Sequence, residues 1–230
     1  MGQAEASGLL RTAEVVHWTA LAIMVLVYTL RLFWLFRFKA GRDRQLPGER
    51  FGDTSLYPAL YSMANVGMPW VMESTRKNIP FYLSFVVFHV GVAAGIFFAI
   101  MGSAYRPFVE IPVVAHVLMV LVGAAFVVAV GRVVRRFARP VLRLISTPDD
   151  YFSLMTLTVW FGVGVPAAAY MAGSLKGEGY WVAYLFATSF FLIYVPFSKI
   201  SHYLYYPFTR YWIGRTLGHR GSMPPAIARG

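Results

Sequence analysis

Four of the five histidines, His17, His89, His116 and His202, fall in stretches apolar enough to cross a bilayer, one in each of four such stretches. An ionisable side chain inside hydrocarbon is costly and marks a task. A neutral imidazole is a good axial ligand for haem iron, and a six-coordinate b haem takes two, from different helices at compatible depth. Histidines scattered one per helix are what such a site requires. The same residues are open to plainer roles, since an intramembrane imidazole also makes interhelical hydrogen bonds or lines a polar cavity. The fifth histidine, His219 in "LGHRGSMPP", reads as a solvent-exposed tail residue.

Of the 230 residues, 58% are hydrophobic and 17% aromatic, and only 13% are charged, against about a quarter in soluble domains. The net charge of +11 does not imply nucleic acid, because the basic residues sit at the ends of apolar runs. With no cysteine, the chain can hold no disulfide, thiolate metal site or cysteine-ligated iron–sulfur cluster of its own. The N-terminal "MGQAEASGLLRTAEVVHW" lacks the basic lead and small-residue cleavage site of a signal peptide, so the first apolar run is expected to be retained.

The elements that must position the histidines are five transmembrane helices, at about 12–37, 79–104, 110–133, 152–173 and 180–207. The expected fold is an all-α five-helix membrane bundle over 1–210, followed by a tail over 211–230. Of the 21 lysines and arginines, seventeen fall on one side: in the first loop, in the third connection and at the C-terminal end. Only Arg11, Arg106 and Lys176 fall on the other. The positive-inside rule then puts the N-terminus outside and the C-terminus in the cytoplasm.

Depth sorts the ligand candidates. His17 and His116 both lie roughly 8 Å below the outer boundary of their spans, which makes them a pair for an outer haem. His89 and His202 lie nearer the inner side, with depths that differ by roughly 10 Å on straight helices. Gly91, Gly95 and Gly123 leave gaps beside His89 and His116 that would suit a flat macrocycle. "GVAAG" is equally a small-xxx-small helix-packing motif. Arg31, Lys199 and Arg210 are candidates for haem propionates; Arg31 could instead snorkel, and Lys199 and Arg210 could meet lipid phosphates. Glu14, close to His17, is a candidate proton acceptor from quinol. Asp149 and Asp150 in "STPDD" read as a helix cap. The aromatics of "HYLYYPFTRYW" suit both an interfacial belt and a docking platform.

Three pieces, "FHVGVAAGIFF", "STPDDYFSL" and "VPFSKISHYLYYP", resemble the membrane cytochrome b (gamma) subunit of respiratory nitrate reductases and its relatives in heterodisulfide-reductase-like and sulfate-respiration complexes. The most specific is Pro-Phe-Ser-Lys-x-x-His, from Pro196 to His202. The resemblance implies that His89 and His202 are the axial ligands of the inner haem b, and that the chain is a multi-pass subunit of a prokaryotic inner (cytoplasmic) membrane. It also implies a cytoplasmic iron–sulfur partner subunit, and it is compatible with further membrane or periplasmic subunits. The family's outer-haem ligands would fall at positions 99 and 184, which are Ala99 and Tyr184 here; that arrangement is therefore missing, and His17 with His116 is the replacement read from this sequence.

The expectation is thus a subunit with two b haems, one at minimum, passing electrons between menaquinone or ubiquinone on the outer side and the iron–sulfur partner. The alternatives are a one-haem protein with a quinone site at His17 and His116, a haem-free anchor, and a histidine-relay transporter. The last is disfavoured by the lack of inverted repeats.

Overall fold

The structure, a computed structural model, describes residues 8–38, 56–71 and 73–217. His219 lies outside them. The described chain is helical: α1 (Gly8–Phe36), α2 (Leu56–Ala64), α3 (Glu73–Arg76), α4 (Ile79–Ala104), α5 (Arg106–Val109), α6 (Pro112–Ala138), α7 (Pro140–Ile145), α8 (Pro148–Met171), α9 (Gly179–Tyr194) and α10 (His202–Leu217). Five of these, α1, α4, α6, α8 and α9 with its short extension to Phe197, are long and apolar enough to cross a membrane. Hydrocarbon offers the backbone no hydrogen bonds, so each span must satisfy its own amides as a helix.

The boundaries differ from expectation where local chemistry intervenes. The helix α8 begins at Pro148 because Thr147 and Asp150 form a capping box: the Thr147 N–H donates to Asp150 Oδ2 at 2.7 Å and the Thr147 hydroxyl to the same oxygen at 2.9 Å. The helix α6 runs on to Ala138, carrying Arg132, Arg135 and Arg136 within it. Arginine is a good helix former whose long stem reaches back to the polar boundary.

The largest change is in the fifth span, expected as one helix to about residue 207. It stops at Tyr194 and gives way to two 3₁₀ turns, Val195–Phe197 and Lys199–Ser201, separated by the extended Ser198. Pro196 has no N–H to donate, and its ring crowds the preceding turn. His202 therefore does not end span five; it opens a separate helix, α10, which runs past residue 210 to Leu217.

The chain forms two compact units, Met1–Tyr28 with Leu83–Ser198, and Thr29–Tyr82 with Lys199–Gly230. In the first, helices approach through small residues, as they must where lipid removes the hydrophobic drive between them. A Cβ on Gly91 would lie 2.1 Å from the Ala125 Cβ, and one on Gly102 would lie 2.3 Å from the Trp181 ring. Around these contacts Phe98, Trp160, Phe161, Trp181 and Tyr184 form a buried aromatic core. In the second unit α10 lies on α2. A Cβ on Gly214 would meet the Pro58 carbonyl at 2.3 Å, and Arg210 Nε donates to the Ser62 carbonyl at 2.9 Å.

Candidate functional site: the four histidines

Three of the four histidines share one arrangement. On α4, His89 Nδ1 is 2.8 Å from the Phe85 carbonyl. On α6, His116 Nδ1 is 2.6 Å from the Pro112 carbonyl. At the start of α10, His202 Nδ1 is 3.1 Å from the Lys199 carbonyl. A carbonyl oxygen only accepts, so each Nδ1 carries a proton, and in the neutral ring that ligates iron the lone pair is on Nε2. A backbone acceptor on the second ring nitrogen fixes the tautomer and ring orientation and raises the basicity of the ligating nitrogen. All three rings are exposed on the chain's surface, and His89 also packs on Phe85, with ring centroids 4.1 Å apart.

His17 differs. On α1 only Leu10, Ala13, His17, Ala20 and Tyr28 are buried, a stripe with three- and four-residue spacing, and His17 sits in the middle of it at 0% exposure. Neither ring nitrogen has a hydrogen-bond partner. Glu14, one turn earlier, is half-buried. His116 sits elsewhere: the buried seam of α6 is Ala115, Leu118, Val122, Ala125 and Ala129, and His116 lies on the opposite side, among the exposed Val113, Val117 and Val120. Counted from the helix starts at Gly8 and Pro112, His17 lies about 13 Å along its helix and His116 about 6 Å. One imidazole is enclosed and the other faces outward.

The glycines expected to make room for a macrocycle are used otherwise. The space over Gly91 belongs to Ala125, and that over Gly95 to Trp160, whose ring would lie 2.6 Å from an added Cβ. Both serve helix packing, the other role "GVAAG" offered. Beside Gly123 an added Cβ would meet only Val165 at 3.8 Å, an ordinary contact. Positions 99 and 184 are filled as well as lacking ligands. Ala99 and Tyr184 are both 0% exposed; Tyr184 stacks on Phe98 and Trp160 and donates to the Gly95 carbonyl at 2.6 Å. Trp160 Nε1 in turn donates to Thr188 Oγ1 at 2.9 Å. This close-packed cluster stands where the resemblance would otherwise put an outer haem.

Of the cations, Arg31 is half-buried on α1 and Lys199 is exposed beside the Ser198 break, while Arg210 is committed through Nε to α2. The structure adds one that sequence reasoning treated only as a topology signal. Arg132 folds back against α4, its guanidinium 4.4 Å from the Phe88 ring centroid and its Nη2 3.3 Å from the Ser84 carbonyl. It thus stands next to the residue preceding His89. Little in the sequence signalled this role, since Arg132 is simply the first arginine at the end of the apolar run of span three. Asp150 caps α8, as expected, and Asp149 accepts from Tyr194 at 3.0 Å.

Among the described residues no three His, Cys, Asp or Glu side chains converge as a non-haem metal centre needs. A bis-imidazole haem needs only two donors, and histidines with Nδ1 tied to a carbonyl fit that donor set. No family model, curated protein or solved structure matches the chain.

Proposed function

We propose that this chain is the membrane cytochrome b subunit of a respiratory oxidoreductase complex, exchanging electrons between menaquinone or ubiquinone and an iron–sulfur partner subunit on the arginine-rich, cytoplasmic side. The observation that carries the proposal is the shared Nδ1–carbonyl bond of His89, His116 and His202, which makes Nε2 the ligating nitrogen in each. Assignment of His89 and His202 as the inner axial pair rests on the "FHVG" and "PFSKISH" motifs. When bound, a b haem supplies one-electron transfer at a potential set by its axial ligands and their hydrogen bonds. The Phe85 and Lys199 carbonyls orient the two imidazoles, and Arg132 adds positive charge beside α4 at Phe88. Because the chain has no cysteine, the iron–sulfur clusters belong to the partner.

At the outer end, the two-haem form needs His17 and His116 to face one gap. The enclosure of His17 and the outward position of His116 favour the one-haem form. In it quinol gives its proton to the half-buried Glu14, one turn from the enclosed His17, whose two unpartnered nitrogens leave it free to share that proton.

The test is a reduced-minus-oxidised spectrum of the purified full chain, with haem counted as its pyridine haemochrome. The expected result is a b-type spectrum and one haem per chain. A fully helical preparation without haem would refute the cytochrome reading. Two haems per chain, one of them lost in both His17→Ala and His116→Ala, would restore the outer pair.

A further inference from the structure

The connection between α6 and α8 is nine residues long, Arg139 to Thr147, and its chemistry is unusual for a water-exposed loop. Extended backbone at Arg139 (φ −96°, ψ 118°) and at Ser146 (φ −95°, ψ 133°) sets the short helix α7 apart from both spans. On it Val141, Leu144 and Ile145 are 69%, 88% and 68% exposed; the exposed Arg139 precedes them and the exposed Arg143 stands between them. Neither arginine makes an ion pair among the described residues. The two nearby carboxylates are already engaged: Asp150 caps α8 and approaches Arg136 at 4.0 Å, and Asp149 accepts from Tyr194. From Arg132 to Asp150 the chain carries five arginines against two aspartates.

Three bare aliphatic side chains and two uncompensated guanidinium groups lie on a tether too short to leave the bilayer surface, because both of its ends are the ends of membrane spans. That combination is the chemistry of an interfacial helix on an anionic leaflet: apolar side chains enter the acyl boundary and arginines meet the phosphates. We infer that α7 and its flanking arginines form a binding surface for anionic phospholipid headgroups. Val141, Leu144 and Ile145 insert beside the acyl chains, while Arg139 and Arg143 hold the phosphates. The inference depends on the spans alone and stands whether or not the chain binds haem.

The chain's lack of cysteine allows a single spin label at Leu144→Cys on the full chain, reconstituted in phosphatidylcholine vesicles with or without phosphatidylglycerol. With the anionic lipid present, dissolved oxygen should reach the label more readily than a water-soluble nickel chelate. A second measurement compares association of spin-labelled phosphatidylglycerol and phosphatidylcholine with the protein. Each surface arginine contributes roughly a fivefold preference for the anionic lipid, so Arg139→Gln with Arg143→Gln should lower it roughly thirtyfold, while the double lysine variant should retain it. High chelate access in both vesicle types would overturn the proposal and mark α7 as an aqueous face for an acidic protein partner. Equal association of the two lipids with the unaltered chain, or a preference unchanged in the double glutamine variant, would overturn it as well.

Discussion

Replacing His17 by leucine should stabilise the fold. The imidazole is fully enclosed and neither nitrogen has a partner, so folding strips its hydration or its alternative partners and returns nothing. In soluble cores an unsatisfied buried polar group costs about 1–3 kcal/mol. In membranes the unfolded reference also finds partners, and interhelical hydrogen bonds average about 0.6 kcal/mol. Two nitrogens then give roughly 1–2 kcal/mol, less some loss for an imperfect shape match, since volume-conserving swaps cost under about 1.5 kcal/mol. A net gain of about 1 kcal/mol, near fivefold in the folding constant, is expected for His17→Leu. Reversible unfolding in mixed micelles of a mild detergent and dodecyl sulfate measures it, with haem content followed in the same samples. On the one-haem proposal the haem stays while quinol-driven reduction falls, a trade of function for stability. Destabilisation with haem content unchanged would show that the nitrogens have partners in the folded chain and would refute the reasoning. Destabilisation together with loss of a haem would make His17 an axial ligand.

Other substitutions read other parts of the structure. His89→Ala and His202→Ala should each abolish the same low-spin b-haem signal; spectroscopically different losses would break the proposed pairing. Gly95→Leu drives a side chain into the Trp160 ring and should cost about 1–3 kcal/mol or more in the same unfolding assay, whereas Gly123→Ala, with only Val165 at 3.8 Å, should change stability by much less. Tyr184→Phe leaves the Gly95 carbonyl without this donor and should cost about 0.5–1.5 kcal/mol. Asp150→Ala opens the capping box at the start of α8 and should cost about 1 kcal/mol, seen as faster amide exchange in the first turn of that helix.

The five spans were legible because their cause is local: a run of about twenty apolar residues must become a helix in hydrocarbon, whatever surrounds it. The start of α8 at "STPDD" was legible in kind for the same reason, since a capping carboxylate acts within one turn. The break of the fifth span had its signal in Pro196, yet one proline does not say whether a helix kinks or ends. Here the chain leaves α-geometry through two 3₁₀ turns and an extended Ser198, and His202 starts a new helix.

Which way each histidine faces was not legible. A soluble helix shows its buried side as an apolar stripe, but a membrane span is apolar all round, so periodicity does not separate the face that meets a neighbour from the face that meets lipid. Equal depth therefore made His17 and His116 look alike, and only the packing of α1 and α6 enclosed one and left the other outward. The glycines carried the same ambiguity, because a missing side chain announces a gap and not its occupant. Ala125 and Trp160, distant in sequence, fill the gaps at Gly91 and Gly95. Sequence alone determined that this chain has five segments long and apolar enough to cross a membrane and that three of them carry an imidazole; His202 lies just beyond the fifth. The tertiary structure decided which imidazole is enclosed and which are outward, because in lipid that depends on shape between helices, and shape between helices is not written along any one of them.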